Sequence, residues 1–298
     1  MFGPSSALFF YPLSAALLYA FAALILKRSS DLGVGLWRTA FIANMIGALV
    51  YSSLWWVLGG GPVDVEKLWQ PGLIAVCLFG GQISQFLALS RGAVSVAVPI
   101  FGLKVIIVGL LTPFLVGESI RPSLWVAAAL SVVGVTFMNR NGNGKPVPGL
   151  LITVVSGTIG SVCFAFFDLL VQKWGPAWGA GRLLPCVFWI NAVLSLGLIT
   201  QFRAPLTKTP SKAWIWLVGG SLALSLQSTL FVGYIATYGK AAAANIIYSA
   251  RGLLSVLLVW FIGHWFANQE STAGSRIFLW RLTGAALMLA AIAIVAAG

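Results

Sequence analysis

The chain has 298 residues, 59% of them apolar and 8% charged. A water-soluble domain carries about 25% charged residues, so this sequence lacks the polar surface to stand in water and reads as an integral membrane protein. Eighteen Lys and Arg against six Asp and Glu give a net charge of +12. These cations stand singly between apolar runs, with no basic stripe or stacking platform, which argues against nucleic acid and makes them topology signals.

In chain order, ten predominantly apolar runs approach the roughly 20 residues that a membrane crossing needs: residues 7–26, 36–58, 71–89, 94–116, 123–138, 149–171, 183–201, 214–237, 242–262 and 277–297. Met1 to Ser6 contain no Lys or Arg, so the first run is expected to be a retained helix and not a cleaved signal. Gly and Pro break the chain at Gly59 to Pro62, Arg121-Pro122, Gly175-Pro176 and Ala204 to Pro210. The longest polar break near the middle is residues 141–148, and it divides the chain into a first five-helix unit, 1–140, and a second, 149–298.

The two units resemble each other. A slide of 147 residues places Phe41 on Phe188, Asn44 on Asn191, Phe101 on Tyr248 and Lys104 on Arg251, and a slide of 145 places Ala20-Phe21 on Ala165-Phe166 and Arg28 on Lys173. With five helices per copy, the second enters the bilayer from the opposite side. The expected fold is therefore an all-α membrane protein of ten transmembrane helices, built as two inverted five-helix repeats around a central cavity. Sorting the cations outside the spans puts eleven on one side, Lys27, Arg28, Arg38, Arg203 and Lys208 among them, and Lys67, Arg121, Lys173, Arg182 and Lys240 on the other. The first side is then cytoplasmic and both termini lie outside.

Conventional enzyme chemistry is starved of parts. Cys77, Cys163 and Cys186 sit in apolar runs without metal-ligand spacing, His264 is alone, and the six acids are scattered mostly in loops. No enzyme, metal site or cofactor is implied.

Lys104 and Arg251 lie nine or ten residues inside their runs, some 14 to 15 Å deep at 1.5 Å per residue. A cation there costs at least about 2.5 to 3.5 kcal/mol, so it faces a cavity or a partner. Glu118 is too far along the axis to reach Lys104. Asp168, near the end of the sixth run, is the acid that a snorkelling Arg251 can meet. Three readings stand: a structural Asp168–Arg251 pair, two unneutralised cations that attract a carboxylate or phosphate, or cations that snorkel to lipid headgroups. Phe101 and Tyr248 stand three residues before their cations, each on the cation's face. Phe79 with Gln82, and Gln227 with Phe231, share faces of the third and eighth runs, where amides and rings serve as interhelical contacts or as a side-chain pocket. Pro99 is a candidate kink five residues before Lys104.

Tyr19-Ala-Phe-Ala with Lys27-Arg28 closing the first run, Leu36-Trp-Arg38 opening the second, and Gly117-Glu118-Ser-Ile-Arg followed by Trp125 and Gly134 resemble the EamA branch of the drug/metabolite transporter superfamily. The overall likeness and aromatic richness are most similar to the YddG aromatic amino-acid exporters of bacteria. The resemblance implies a multi-pass carrier of the bacterial inner membrane that exports amino acids, aromatic and other apolar ones favoured, by alternating access. Sugar-phosphate translocators of the superfamily hold phosphate with basic residues of the fourth and ninth helices, which match Lys104 and Arg251. Here the ninth run has a single basic residue, Arg251 being followed by Gly252, and this counts against phosphate. The proton-coupling glutamate of the small multidrug members has no counterpart in the first run. On this reading Lys104 and Arg251 meet the carboxylate, Phe79, Phe101, Phe231 and Tyr248 wall the side-chain pocket, and Gln82 and Gln227 donate or accept hydrogen bonds. The alternatives are another organic anion or a sugar phosphate and, in a different class, a non-transporting membrane scaffold. Duplication supplies both halves, so a monomer suffices.

Overall fold

The computed structural model describes residues 4–91, 94–138, 149–262 and 275–297, so the predicted linker 141–148 and His264 lie outside the described residues. Every α-helix hydrogen-bonds its own backbone, as a chain in hydrocarbon must. The helices are α1 (Pro4–Asp31), α2 (Leu36–Val57), α3 (Trp69–Arg91), α4 (Val94–Gly102), α5 (Lys104–Leu115), α6 (Pro122–Met138), α7 (Leu150–Trp178), α8 (Ala180–Ser195), α9 (Ser211–Tyr238), α10 (Ala241–Tyr248), α11 (Arg251–Ile262) and α12 (Ser275–Ala297). Short 3-10 turns occupy Val65–Lys67, Leu196–Gln201 and Leu206–Lys208.

Six of the described helices are long and apolar enough to cross a membrane: Ala7–Asp31, Leu36–Val57, Val65–Leu89, Leu150–Trp178, Ala180–Gln201 and Ser211–Tyr238. Shorter apolar helices cover Pro99–Leu115, Pro122–Phe137 and Leu282–Val295. The outward faces carry Trp56, Phe114, Leu151, Val193 and Ile215, all exposed, which water would penalise and lipid does not.

Two expectations are corrected. The runs 94–116 and 242–262 are not continuous helices but break into α4 and α5, and into α10 and α11. Gly175-Pro176 is not a connection. It lies inside α7, which runs on to Trp178 and is capped by Gly179. Arg28 stands in the last turn of the first helix, which ends at Asp31.

The contacts pair elements of the two halves. α1 packs along α9 and α3 along α7; α2 meets α8, and α6 meets α12. α5 and α4 lean on α7 as α11 and α10 lean on α1. Small residues allow these approaches. A Cβ on Gly175 would stand 2.5 Å from the carbonyl oxygen of Ala236, so α7 and α9 touch backbone to backbone there. The largest buried cluster runs through this interface, with Leu169, Val171, Leu183, Val187 and Ile235 fully enclosed.

Candidate functional site

Both broken helices fail at the same place relative to a cation. Pro99 removes one donor within α4, and the Leu103 amide bonds back to Ile100 O at 3.0 Å, a tightened turn after which Lys104 begins α5. In the second half the amides of Ser249 and Ala250 bond back to Ile246 O and Ile247 O, and Arg251 begins α11. Neighbouring hydroxyls support both bends: Ser161 of α7 donates to Ile100 O at 2.9 Å, and Ser249 Oγ is 3.2 Å from Ser131 Oγ of α6.

Lys104 Nζ lies 2.6 Å from Asp168 Oδ2, with the Asp168 side chain 1% and the Lys104 side chain 17% exposed. Asn245 Nδ2 donates to the same Asp168 oxygen at 2.7 Å and to Ala241 O at 2.9 Å. Asp168 Oδ1 is buried without a hydrogen-bond partner. Asp168 therefore pairs with Lys104 and not with Arg251, and the picture of two unneutralised cations is corrected to one. Arg251 meets no carboxylate at ion-pair distance among the described residues. Its guanidinium instead rests 4.9 Å from the Tyr19 ring centre and 4.7 Å from that of Tyr248, an arrangement that the ring quadrupole favours. The two cations and Asp168 stand within electrostatic range of one another.

Rings connect the cations. Lys104 Nζ is 5.8 Å from the Phe164 centroid and 5.5 Å from that of Phe231. Phe231 stacks on Tyr248 at 4.3 Å, and the Tyr248 hydroxyl donates to Gln227 Oε1 at 2.9 Å. Lys104, Arg251, Tyr248, Phe231 and Gln227 are thus brought together. Gln82 is engaged elsewhere, exchanging two hydrogen bonds with Asn44 of α2 at 3.0 and 3.1 Å. Phe101 joins Ala88 and Ala97 in a separate buried cluster, and Phe79 is half-buried on α3; neither is among the rings at the cations.

Tyr19, Phe164 and Asn245 were not singled out in the sequence as part of this site. The signal for two of them was present, because the slide of 145 that aligns Ala20-Phe21 with Ala165-Phe166 also aligns Tyr19 with Phe164. These are the rings under Arg251 and Lys104 on α1 and α7. The same slide places Ala23 opposite Asp168, so the acid has no counterpart in the first half.

At one end of the bundle a cavity of about 190 Å³ is lined by Leu8, Glu118, Arg121, Gln172, Lys240 and Ile294, among others. Gln172 donates to Glu118 Oε2 at 3.2 Å and accepts the Ala241 amide at 2.9 Å, tying the α5–α6 loop, α7 and α10 together. Leu8 and Ile294 place the start of α1 and the end of α12 at this end.

A protein of known crystal structure, 20% identical, superposes with a TM-score of 0.77 over 98% of both chains, which shows a shared fold. No curated protein matches the sequence. Residues 6–140 match the EamA-like transporter family. The match spans a little under half of the chain, and the six long apolar helices fit a multi-pass membrane protein.

Proposed function

We propose that the chain is a secondary carrier for amino acids with aromatic or other apolar side chains, exporting them across the bacterial inner membrane by alternating access between two inverted five-helix halves, as the YddG aromatic exporters do. The observation that carries this reading is Arg251, a guanidinium on two tyrosine rings with no carboxylate partner among the described residues, beside a Lys104–Asp168 pair at the break of a second helix. The arrangement offers a carboxylate two cations and offers an apolar side chain the Phe231, Tyr248, Tyr19 and Phe164 rings. Discontinuous helices facing each other across a repeat are where carriers of this design bind substrate. The pairing of α1 with α9 and α3 with α7, and the end of the family match at residue 140, support the inverted-repeat reading. The end carrying Lys240 and Arg121 is the outer one, since the greater number of cations lies at the other.

Lys104, Asp168 and Arg251 sum to a single positive charge, and this favours a second reading in which a simple organic carboxylate is carried. One monoanion neutralises that charge, whereas a phosphate dianion overshoots it. The test is movement of labelled phenylalanine into proteoliposomes, set beside 3-phenylpropionate, a sugar phosphate and an organic cation. Robust phosphate-ester exchange without phenylalanine movement rejects the amino-acid reading; movement of phenylpropionate alone selects the second.

A further inference from the structure

We infer that Arg38 and Arg203 form a binding site for a phosphate group at the cation-rich end of the bundle, filled by the headgroup of an anionic phospholipid. The two arginines come from different halves of the chain and line one cavity of about 240 Å³, together with Trp37, Gln201 and Phe202. A drug-sized pocket starts at about 300 Å³, so this one suits a phosphate with a small esterified group. Edge-on ring contacts hold its walls, Trp37 against Phe86 at 5.8 Å and Phe202 against Phe41 at 5.7 Å. None of the residues at the Lys104–Arg251 centre lines it, and its occupant is independent of the substrate carried.

Arg38 is 6% exposed. Of the five N–H donors of a guanidinium, Nη1 gives one to Thr209 Oγ1 at 3.3 Å and Nη2 gives one to the Gly33 carbonyl at 2.7 Å, while the Nε–H is buried without a partner. No carboxylate stands at ion-pair distance from it among the described residues. A buried cation with donors to spare is stabilised by an anion. Arg38 also sits in the first turn of α2, behind the Gly35 N-cap, where neither an acidic residue nor a side-chain cap meets the leading backbone amides. The positive end of the helix therefore adds to the guanidinium charge. Arg203, exposed on the α8–α9 connection, supplies the second charge.

Depth selects a lipid headgroup over a free phosphate. α2 runs 22 residues, about 33 Å at 1.5 Å per residue, so its first turn stands at the edge of a hydrocarbon core about 30 Å thick. Leu36, two residues before Arg38, is exposed, as are Leu196 and Ile199 on the turn that leads to Gln201, and these give acyl chains an apolar surface beside the cavity. Lys208 and Lys212 belong to the same end, which the charge count makes cytoplasmic, where basic pockets between helices take anionic headgroups. A phosphate held by both arginines clamps the start of α2 to the α8–α9 connection, beyond what the Arg38–Thr209 bond does alone.

The test uses the full chain, delipidated in a non-ionic detergent, with phosphatidylglycerol, phosphatidylcholine, glycerol phosphate and inorganic phosphate as probes. Native mass spectrometry counts bound lipid, and thermal unfolding reads its effect. The expected result is one tightly retained phosphatidylglycerol and an unfolding temperature that rises with its concentration, while the other three probes give neither. Arg203→Gln alters an exposed side chain, is expected to fold, and should weaken phosphatidylglycerol about tenfold. Arg38→Gln should weaken it at least as much, and added salt acts in the same direction. Lys212→Gln removes a charge at the same end without lining the cavity and should bind as wild type. Equal stabilisation by glycerol phosphate rejects the lipid and assigns the cavity to a free phosphate ester. Retention of phosphatidylglycerol by Arg203→Gln and Arg38→Gln at the wild-type level, or equal retention of phosphatidylcholine, overturns the site.

Discussion

Phe231 and Tyr248 stack with their ring centres 4.3 Å apart, and each ring also bears a cation, Lys104 on the first and Arg251 on the second. Two positive charges from different halves of the chain are thus held in one place through a shared aromatic pair. This relationship sets the order in which substitutions are expected to fail.

Arg251 has rings for neighbours, and a partly desolvated cation on aromatic faces is worth about 1 to 2 kcal/mol. Arg251→Ala is expected to lower the initial rate of phenylalanine uptake by about tenfold or more. Arg251→Lys keeps the charge but loses the flat contact with Tyr19 and Tyr248, and should fall between. Equal amounts of reconstituted protein make the comparison, and a wild-type rate in the Ala variant removes Arg251 from the site.

Lys104→Ala strands Asp168, so its first effect is on stability. Breaking a buried pair by removing one partner costs about 3 kcal/mol. The double variant Lys104→Ala/Asp168→Ala should recover most of that loss, since neither charge is left alone. Thermal unfolding in detergent reads both, and a double variant as unstable as the single one contradicts the pair.

Tyr248→Phe keeps the stack on Phe231 and the face toward Arg251 but leaves Gln227 Oε1 without its donor. A loss of about 1 to 2 kcal/mol in stability is expected, with transport affected far less than in Arg251→Ala. The ratio of the two effects in one set of proteoliposomes separates the hydroxyl from the ring.

Gly175 permits the closest backbone approach between α7 and α9, where an added Cβ meets Ala236 backbone atoms at 2.5, 2.8 and 3.0 Å. Gly175→Ala should lower the unfolding temperature or prevent a monodisperse preparation, because backbone cannot move aside as a side chain can. Gly72→Ala, which meets nothing within 4 Å, is the control and should behave as wild type.

α9 runs 28 residues from Ser211 to Tyr238, about 42 Å at 1.5 Å per residue, with Lys208 just before it and Lys240 just after. In a background with Cys77, Cys163 and Cys186 replaced by Ala, Lys240→Cys should label from outside intact cells. Lys208→Cys should label only after permeabilisation. The reverse pattern inverts the orientation.

Much of the helical framework was legible because hydrocarbon imposes a simple rule on composition: the runs beginning near Leu36, Trp69 and Ser211 are apolar over the length of a bilayer and end at Gly or Pro. Pro99 marked a kink in the fourth run, but the break at Ser249-Ala250 was not legible, since neither residue is a strong helix breaker and the bend is tightened locally and supported by a hydroxyl of another helix. Gly175-Pro176 misled for the related reason that an apolar helix tolerates proline when its neighbours pack closely. At the site, the depth of Lys104 and Arg251 marked both residues. Their partners depended on how α5 and α11 lie against α7 and α1, which no spacing along one helix encodes. Asp168 was visible as an acid out of place, but its choice of Lys104 over Arg251 is a tertiary fact. Phe101 and Gln82 show the converse: each shares a helical face with a plausible site, and each is turned to a structural neighbour instead.

The lone acid opposite Ala23 has one more consequence. A carrier must return unloaded before it can move a second substrate in the same direction, and each uncompensated cation at the midplane adds about 2.5 to 3.5 kcal/mol to that journey. Asp168 travels with the protein as a fixed counter-charge equal to that of a carboxylate cargo, so the vacant carrier bears one such penalty instead of two. Unidirectional turnover is therefore open to it, and Asp168→Ala should push the protein toward exchange that runs only when substrate is present on both faces.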